Sequence, residues 1–330
     1  MSVDPAYDVW WELWTVALAE DGAGRDVTSL AAVDENARAE AALVAREQGT
    51  FAGRALLDIL PQLCAANESD GSGTNEPRAS ARAALDCCAT IENQNVPPRM
   101  PHGDLTVTSH VADGDALTPG MPIATLAGPL RLLLGIERTL LNFLERLCGV
   151  ATQTRRFVDA VAGTRAAIYD TRKTIPGWRL LDKYAVRCGG GCNHRLGLHD
   201  AVLVKDNHLA AVPAGQWAAA ARAMIQRLAA LGLHPEFVEF EVDTLDQLDE
   251  LLTVPGIDVI LLDNFTPEQM AEAVRRRDQR ALQGKVRLEA SGGVTIEAVR
   301  RIAATGVERI AIGAITHSAP ALDIGLDIPS

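Results

Sequence analysis

Residues 238–278 read VEFEVDTLDQLDELLTVPGIDVILLDNFTPEQMAEAVRRRD. A run of strand length closes around Glu241, and a helical pattern follows. A second run, VILLD, closes at Asp263 and leads into another helical pattern. The alternation extends in both directions. AAIYD ends at Asp170, AVLVK at Lys205, VRLEA reaches Glu289 and IAIG ends at Gly313, so the series advances by 35, 36, 22, 26 and 24 residues. Strands recurring at this spacing, with helices between them, form a parallel sheet, and right-handed crossovers curl the array toward a barrel. Reactive groups in such barrels sit at the C-terminal strand ends. Position alone therefore makes Asp170, Lys205, Glu241, Asp263 and Glu289 candidates for one shared cavity.

Upstream the pattern is different. LAAVDENARAEAALVAREQGTFAG and LTVTSHVADGDALTPGMPIATLAGP carry short β-like runs separated by Gly, Pro and Asp turns, which indicates an α+β region. Between them, residues 64–104 are rich in Ser, Gly, Asn and Pro and read as an inserted loop. GIERTLLNFLERLCGVATQTRRFVDAVAG then forms a long amphipathic helical stretch ending at Gly163.

Composition bounds the function. With 330 residues, 48% hydrophobic and 22% charged, the chain can bury one large core or two ordinary ones. No apolar run approaches the about 18 residues of a membrane span. The N-terminus lacks the basic start and cleavage site of a secretory signal, and six cysteines show no framework spacing. These features imply a cytoplasmic protein. A net charge of −12 argues against nucleic acid or an anionic membrane as partner. Against that background Arg172, Lys173, Arg179, Lys183, Arg187, Arg195 and Lys205 face only Asp170, Asp182, Asp200 and Asp206 between residues 170 and 208. The surplus suggests a pocket for a small polyanion. For Arg179, Lys183 and Arg187, spaced by four, a solvated helix face is the competing reading.

Several groupings suit such a ligand. Two carboxylates on neighbouring strand ends, Glu241 and Asp263, repel each other unless a cation lies between them, and oxygen donors with phosphate co-ligands suit Mg²⁺. Salt bridges to arginines are the alternative. EASGGVT places Ser291, Gly292 and Gly293 between a strand and a helix, where backbone N–H groups can converge on an anion, and IGAIT repeats the arrangement at Gly313. DTRKTIPG sets Arg172, a bidentate carboxylate grip, and Lys173, a compact cation, just past a strand. RCGGGCNHRLG, residues 187–197, offers Cys188, Cys192 and His194. A zinc site would need a matching second pair, and a nucleophile would need an activating base; neither is evident. Its glycines are better suited to bringing backbone close to a ligand or to a tight bend.

The block DTRKTIPGWRLLDKYAVRCGGGCNHRLGLHDAVLVKDNHL, residues 170–209, resembles quinolinate phosphoribosyltransferase, the carboxylating nicotinate-nucleotide pyrophosphorylase family. So do ERTLLNFLERLCGVAT, VEFEVDTLDQL, VILLDNF, LEASGGVT, IAIGAITHSAPALDIGLD and, near the start, LAEDGAGRDVTS. The resemblance implies an N-terminal α/β sandwich domain over 1–133, an incomplete parallel α/β barrel over 134–316 and a segment, 317–330, returning to the first domain. It implies phosphoribosyl transfer from phosphoribosyl pyrophosphate to quinolinate with decarboxylation, giving nicotinate mononucleotide, CO₂ and pyrophosphate for NAD synthesis. Arg172, His194 and Arg195, flanked by Thr171, would hold the quinolinate carboxylates, and Arg138 would reach in from the other subunit of a homodimer. Lys173 and Lys205 would serve the substrate anions, and Glu241 and Asp263 Mg²⁺ and pyrophosphate. Ser291, Gly292, Gly293, Gly313 and His317 would line the phosphate end. Two other readings stay open: a paralogous enzyme for a different heterocyclic acid, and an aldolase using Lys205 as a Schiff base.

Overall fold

The computed structural model describes residues 4–65, 102–213 and 215–329, so most of the segment read as an insertion lies outside the described residues. The chain divides into two compact units: residues 1–152, 180–189 and 319–330, and residues 153–179 and 190–318.

The first unit holds a four-stranded antiparallel sheet. Strands β1 (Arg38–Ala45), β3 (Thr106–Ser109), β5 (Pro122–Pro129) and β12 (Ile324–Asp327) run in the order β12-β1-β5-β3, and β2 (Gly49–Thr50) pairs separately with β4 (Ala116–Leu117). The last strand, from the C-terminal segment, thus pairs with the first. Its helices are α1 (Tyr7–Asp21), α2 (Val27–Ala32), α3 (Arg54–Ala65), most of α4 (Leu130–Ala160) and α5 (Arg179–Cys188). The LAEDGAGRDVTS stretch ends α1 and starts α2, where the Asp26 carboxylate accepts the Thr28 and Ser29 amides as an N-cap. Trp10 and Trp14 of α1 pack on Phe143 of α4, with centroids 6.2 and 6.0 Å away, and Trp10 meets Tyr184 of α5 edge-on. On α5 Lys183 is fully buried and Arg187 pairs with Asp4 at 2.6 Å. The solvated-face reading is therefore corrected for Lys183, while Arg179 and Arg187 stay partly exposed.

The second unit contains one six-stranded parallel sheet. Its strands are β6 (Ala167–Tyr169), β7 (Val202–Val204), β8 (Val238–Val242), β9 (Val259–Asp263), β10 (Arg287–Ser291) and β11 (Arg309–Ala311), in the order β6-β11-β10-β9-β8-β7. This is the cyclic order of an α/β barrel, with each strand beside its sequence neighbour and the first beside the last. Among the described strands, only the β6–β7 pairing is missing. The glycine-rich stretch lies along that open edge: Cys192 bridges Tyr169, donating its N–H to the Ile168 carbonyl at 2.7 Å and accepting from the Asp170 N–H at 3.1 Å.

Between strands run α6 (Asp206–Leu209), α7 (Trp217–Ala230), α8 (Leu245–Leu251), α9 (Pro267–Gln279), α10 (Ile296–Ala304) and α11 (Ala314–His317). Capping boxes start two of them, Thr244 with Gln247 and Thr266 with Gln269, the second with Pro267 in the first turn. These caps fix the short turns that follow Val242 and Asp263.

Candidate active site

Side chains alternate across a strand, so Glu239 and Glu241 share one face of β8 while Val238, Phe240 and Val242 take the other. Cross-strand register carries the charged face around the sheet. Leu203 sits beside Glu239, Glu241 beside Leu261, Leu261 beside Glu289, Glu289 beside Arg309, and Asp263 beside Ser291. The charges fall in two groups, one at the strand ends and one deeper.

At the ends, Lys205 Nζ donates to Glu241 Oε2 at 2.5 Å. Asp263 accepts from the Asn264 amide at 2.8 Å. Asn264 has φ 55°, a left-handed conformation that asparagine tolerates, and a Cβ added at Gly292, itself at φ 98°, would collide with its side chain. Glycine is thus required where Ser291, Gly292 and Gly293 lead toward α10. Asp243 is pushed up by its partial burial and by the charges of Asp263 and Asp206. Glu241 thus already has a counter-charge in Lys205, while Asp263 and Asp243 keep oxygen donors of the kind that suit a divalent ion.

Thr171 Oγ1 accepts the Lys173 amide at 3.0 Å, and Thr316 Oγ1 donates to the Lys173 carbonyl at 2.7 Å. A Cβ at Gly313 would meet Lys173 Cδ at 2.9 Å and His317 Nε2 at 3.2 Å, so these three gather at one place. Arg172 and Arg195 lie close enough that burial, reinforced by the Arg172 charge, lowers the Arg195 guanidinium below its ordinary value. Arg172 Nε is buried with no hydrogen-bond partner. The Glu239 and Asp200 charges offset only part of this lowering. Arg138, on α4 in the first unit, is mostly exposed, with Glu145 3.8 Å away.

The deeper group contains His194, Glu239, Glu289 and Arg309, all buried. His194 Nε2 lies 3.0 Å from Glu239 Oε2 and 3.4 Å from Glu289 Oε1, and Arg309 Nε donates to Glu289 Oε2 at 2.5 Å. The Arg309 guanidinium stacks over the Tyr169 ring at 4.0 Å and the Phe237 ring at 5.1 Å. Burial opposes charge on the imidazole, but the Glu239 and Glu289 carboxylates facing Nε2 outweigh it and push His194 up to about 9. Burial and the Glu289 charge likewise raise Glu239. Yet the Arg195 amide donates to His194 Nδ1 at 2.8 Å, which makes that nitrogen an acceptor and places the ring proton on Nε2. The geometry decides: His194 stays a neutral imidazole, and the one further proton in its contact with Glu239 sits on the carboxyl, which burial and the Glu289 charge hold protonated. The donor atoms of His194, Glu239 and Glu289 lie within 4.8 Å of one another, a spacing open to a metal, but Arg309 and the Glu239 proton already supply the counter-charge.

Two expectations are corrected here. Asp170 and Glu289 do not line the mouth. Asp170 is buried, accepting from the His194 amide at 2.8 Å and from Asn193 Nδ2 at 2.7 Å, and Glu289 lies two residues short of the end of β10. Glu239 and Arg309 were not among the sequence candidates. The signal was present, since Glu239 shares strand parity with Glu241. Burial raises both the Cys188 and Cys192 thiols, which suits neither zinc ligation nor nucleophilic attack.

The family model "Quinolinate phosphoribosyl transferase, C-terminal domain" matches residues 150–327, and the corresponding N-terminal domain model matches 81–148, beginning inside the segment read as an insertion. The nicotinate-nucleotide pyrophosphorylase [carboxylating] of Mycobacterium leprae is 52% identical over 223 residues, covering 67% of this chain and 75% of that protein. The chloroplastic Arabidopsis thaliana enzyme of the same name is 34% identical over 98% of this chain and 84% of its own. The solved nicotinate-nucleotide pyrophosphorylase of Francisella tularensis superposes with a TM-score of 0.77 at 31% identity, covering 99% of this chain and 98% of the other. The chain belongs to the quinolinate phosphoribosyl transferase family.

Proposed function

We propose that this protein transfers the phosphoribosyl group of phosphoribosyl pyrophosphate to the ring nitrogen of quinolinate and releases CO₂, forming nicotinate mononucleotide. The observation that carries the reading is the Arg172–Arg195 pair. Two mutually repelling guanidiniums, one with a buried donor that has no partner, suit an acid with two adjacent carboxylates.

The chemistry follows from the arrangement. The pyridine nitrogen forms a bond to C1 of the ribose as the C1–O bond to pyrophosphate breaks. The ribose passes through an oxocarbenium-like state, which the Glu241 carboxylate, steadied by Lys205, would stabilise. Lys173, Gly313 and His317 would hold phosphate, together with the Ser291–Gly293 turn before α10. Mg²⁺, when bound, would be held by Glu241 and Asp263 and would neutralise the departing pyrophosphate. The bond from the ring to the 2-carboxylate then breaks, leaving its electron pair on the ring carbon to take up a proton. The arginines and the quaternised ring nitrogen favour that charge.

The Schiff-base reading of Lys205 is weaker, because its ammonium is engaged by Glu241 and imine formation needs a free amine. The exposed Arg138 is read as completing the neighbouring copy's site in a homodimer. Mixing Arg138→Ala with Lys205→Ala protein should restore activity through hybrid dimers; no recovery after proven subunit exchange would exclude this sharing. Among the described residues Cys64, Cys148, Cys188 and Cys192 are free, which suits the reducing cytoplasm we assign. The direct test of the activity is incubation with quinolinate, phosphoribosyl pyrophosphate and Mg²⁺. Nicotinate mononucleotide, CO₂ and pyrophosphate should form in equal amounts, and their absence under these conditions would refute the assignment.

A further inference from the structure

His194 occupies an unusual position for a ligand-binding histidine. Both of its ring nitrogens face internal partners, Nε2 toward Glu239 and Glu289 and Nδ1 toward the Arg195 amide. Its ring edges meet Phe237 at 5.3 Å and Tyr169 at 6.5 Å, both nearly perpendicular. The backbone beside it is pinned as well, by Asp170 at the His194 amide and by the Cys192 bridge along β6. This stretch runs along the open edge of the barrel, where no strand ladder joins β6 to β7. The His194 side chain is what carries it across to β8 and β10.

We propose that Glu239, Glu289 and Arg309 are positioning residues for the acceptor acid: they seat the His194 imidazole inside the barrel, and that seating aims Arg195, the next residue, toward Arg172. The inference rests on the quinolinate reading of the arginine pair. Arg309 completes the group by holding Glu289 from the far side and filling the space between the Tyr169 and Phe237 rings. Without it Glu289 would be free to swing away from the imidazole. On this account His194 reaches the substrate only through Arg195, although a histidine next to an arginine in such a motif would ordinarily be read as a direct carboxylate ligand.

The test is steady-state kinetics on the full chain for Glu239→Gln, His194→Gln and the double variant, with quinolinate and phosphoribosyl pyrophosphate varied separately. Each single change should raise the quinolinate KM by about tenfold and leave the phosphoribosyl pyrophosphate KM within about twofold. The double variant should be no worse than His194→Gln alone, because both changes act through one ring. A wild-type quinolinate KM in Glu239→Gln, whatever its melting temperature, would overturn the proposal, and so would effects that multiply in the double variant. If Glu239→Gln does not fold, Glu289→Gln and Arg309→Lys carry the same comparison. Failure of all three to fold would assign the network to stability alone and overturn the positioning role. Wild-type protein that turns over no quinolinate would refute the underlying activity instead, a result separable from any of these.

Discussion

The two charge layers of the barrel use the same strands two residues apart and behave differently. At the rim, Lys205 is largely exposed and pairs with Glu241, which is itself buried, and Asp263 and Ser291 are half-buried. On the floor, Glu239 and Glu289 are shut off from solvent and are held by His194 and Arg309. An exposed rim charge such as Lys205 can exchange its partner for a substrate at little cost. A floor charge that loses its partner is left in a medium that cannot solvate it. The rim can therefore carry the chemistry, while the floor can only hold geometry.

The sharpest way to break this contrast is to remove one floor partner. Arg309→Met should lower stability by about 3–5 kcal/mol, the cost of a buried carboxylate stripped of its cation; denaturant unfolding measures it. A loss below about 1 kcal/mol would mean that the floor is wetter than its burial implies.

The second prediction concerns pH. Burial and the Glu289 charge raise Glu239 above the ordinary 4.5, so the folded chain keeps a proton that the unfolded chain releases. A group raised by folding contributes fully below the unfolded value and loses that contribution as pH climbs through the folded one. Stability should therefore fall as pH climbs from about 4.5 through the raised value of Glu239, and Glu239→Gln, which does not titrate there, should flatten that slope. An unchanged slope in the variant would assign the proton elsewhere.

The rim should show the converse. Arg172→Lys should leave the melting temperature nearly unchanged yet lower kcat/KM for quinolinate by about a hundredfold, since lysine cannot reproduce a bidentate grip. A large stability loss with normal kinetics would move Arg172 from rim to scaffold.

The same contrast explains what the sequence made legible. The strand series was readable because each run closes on a polar or small residue at a regular interval, and the rim residues Lys205 and Asp263 are those closing residues. The floor was not readable in this way. Glu239 sits inside an apolar run, and Arg309 precedes one, so neither terminates anything. What makes them a group is the pairing of β8, β9, β10 and β11, a non-local register that spacing along the chain does not state. Glu289 was picked out but assigned to the wrong depth, because its run extends two residues further, to Ser291. Lys183 illustrates the opposite error: a spacing of four reads as a wet helix face, and packing of α5 within the first unit overrides it at that position.

The central claim, that Arg172 and Arg195 together demand two carboxylates, is tested most directly by offering the wild-type protein quinolinate and nicotinate in parallel with phosphoribosyl pyrophosphate. Quinolinate should be converted with a kcat/KM at least about a hundredfold above that of nicotinate, as expected when one of two clustered cations is left without a partner. Equal use of the mono-acid would contradict the account.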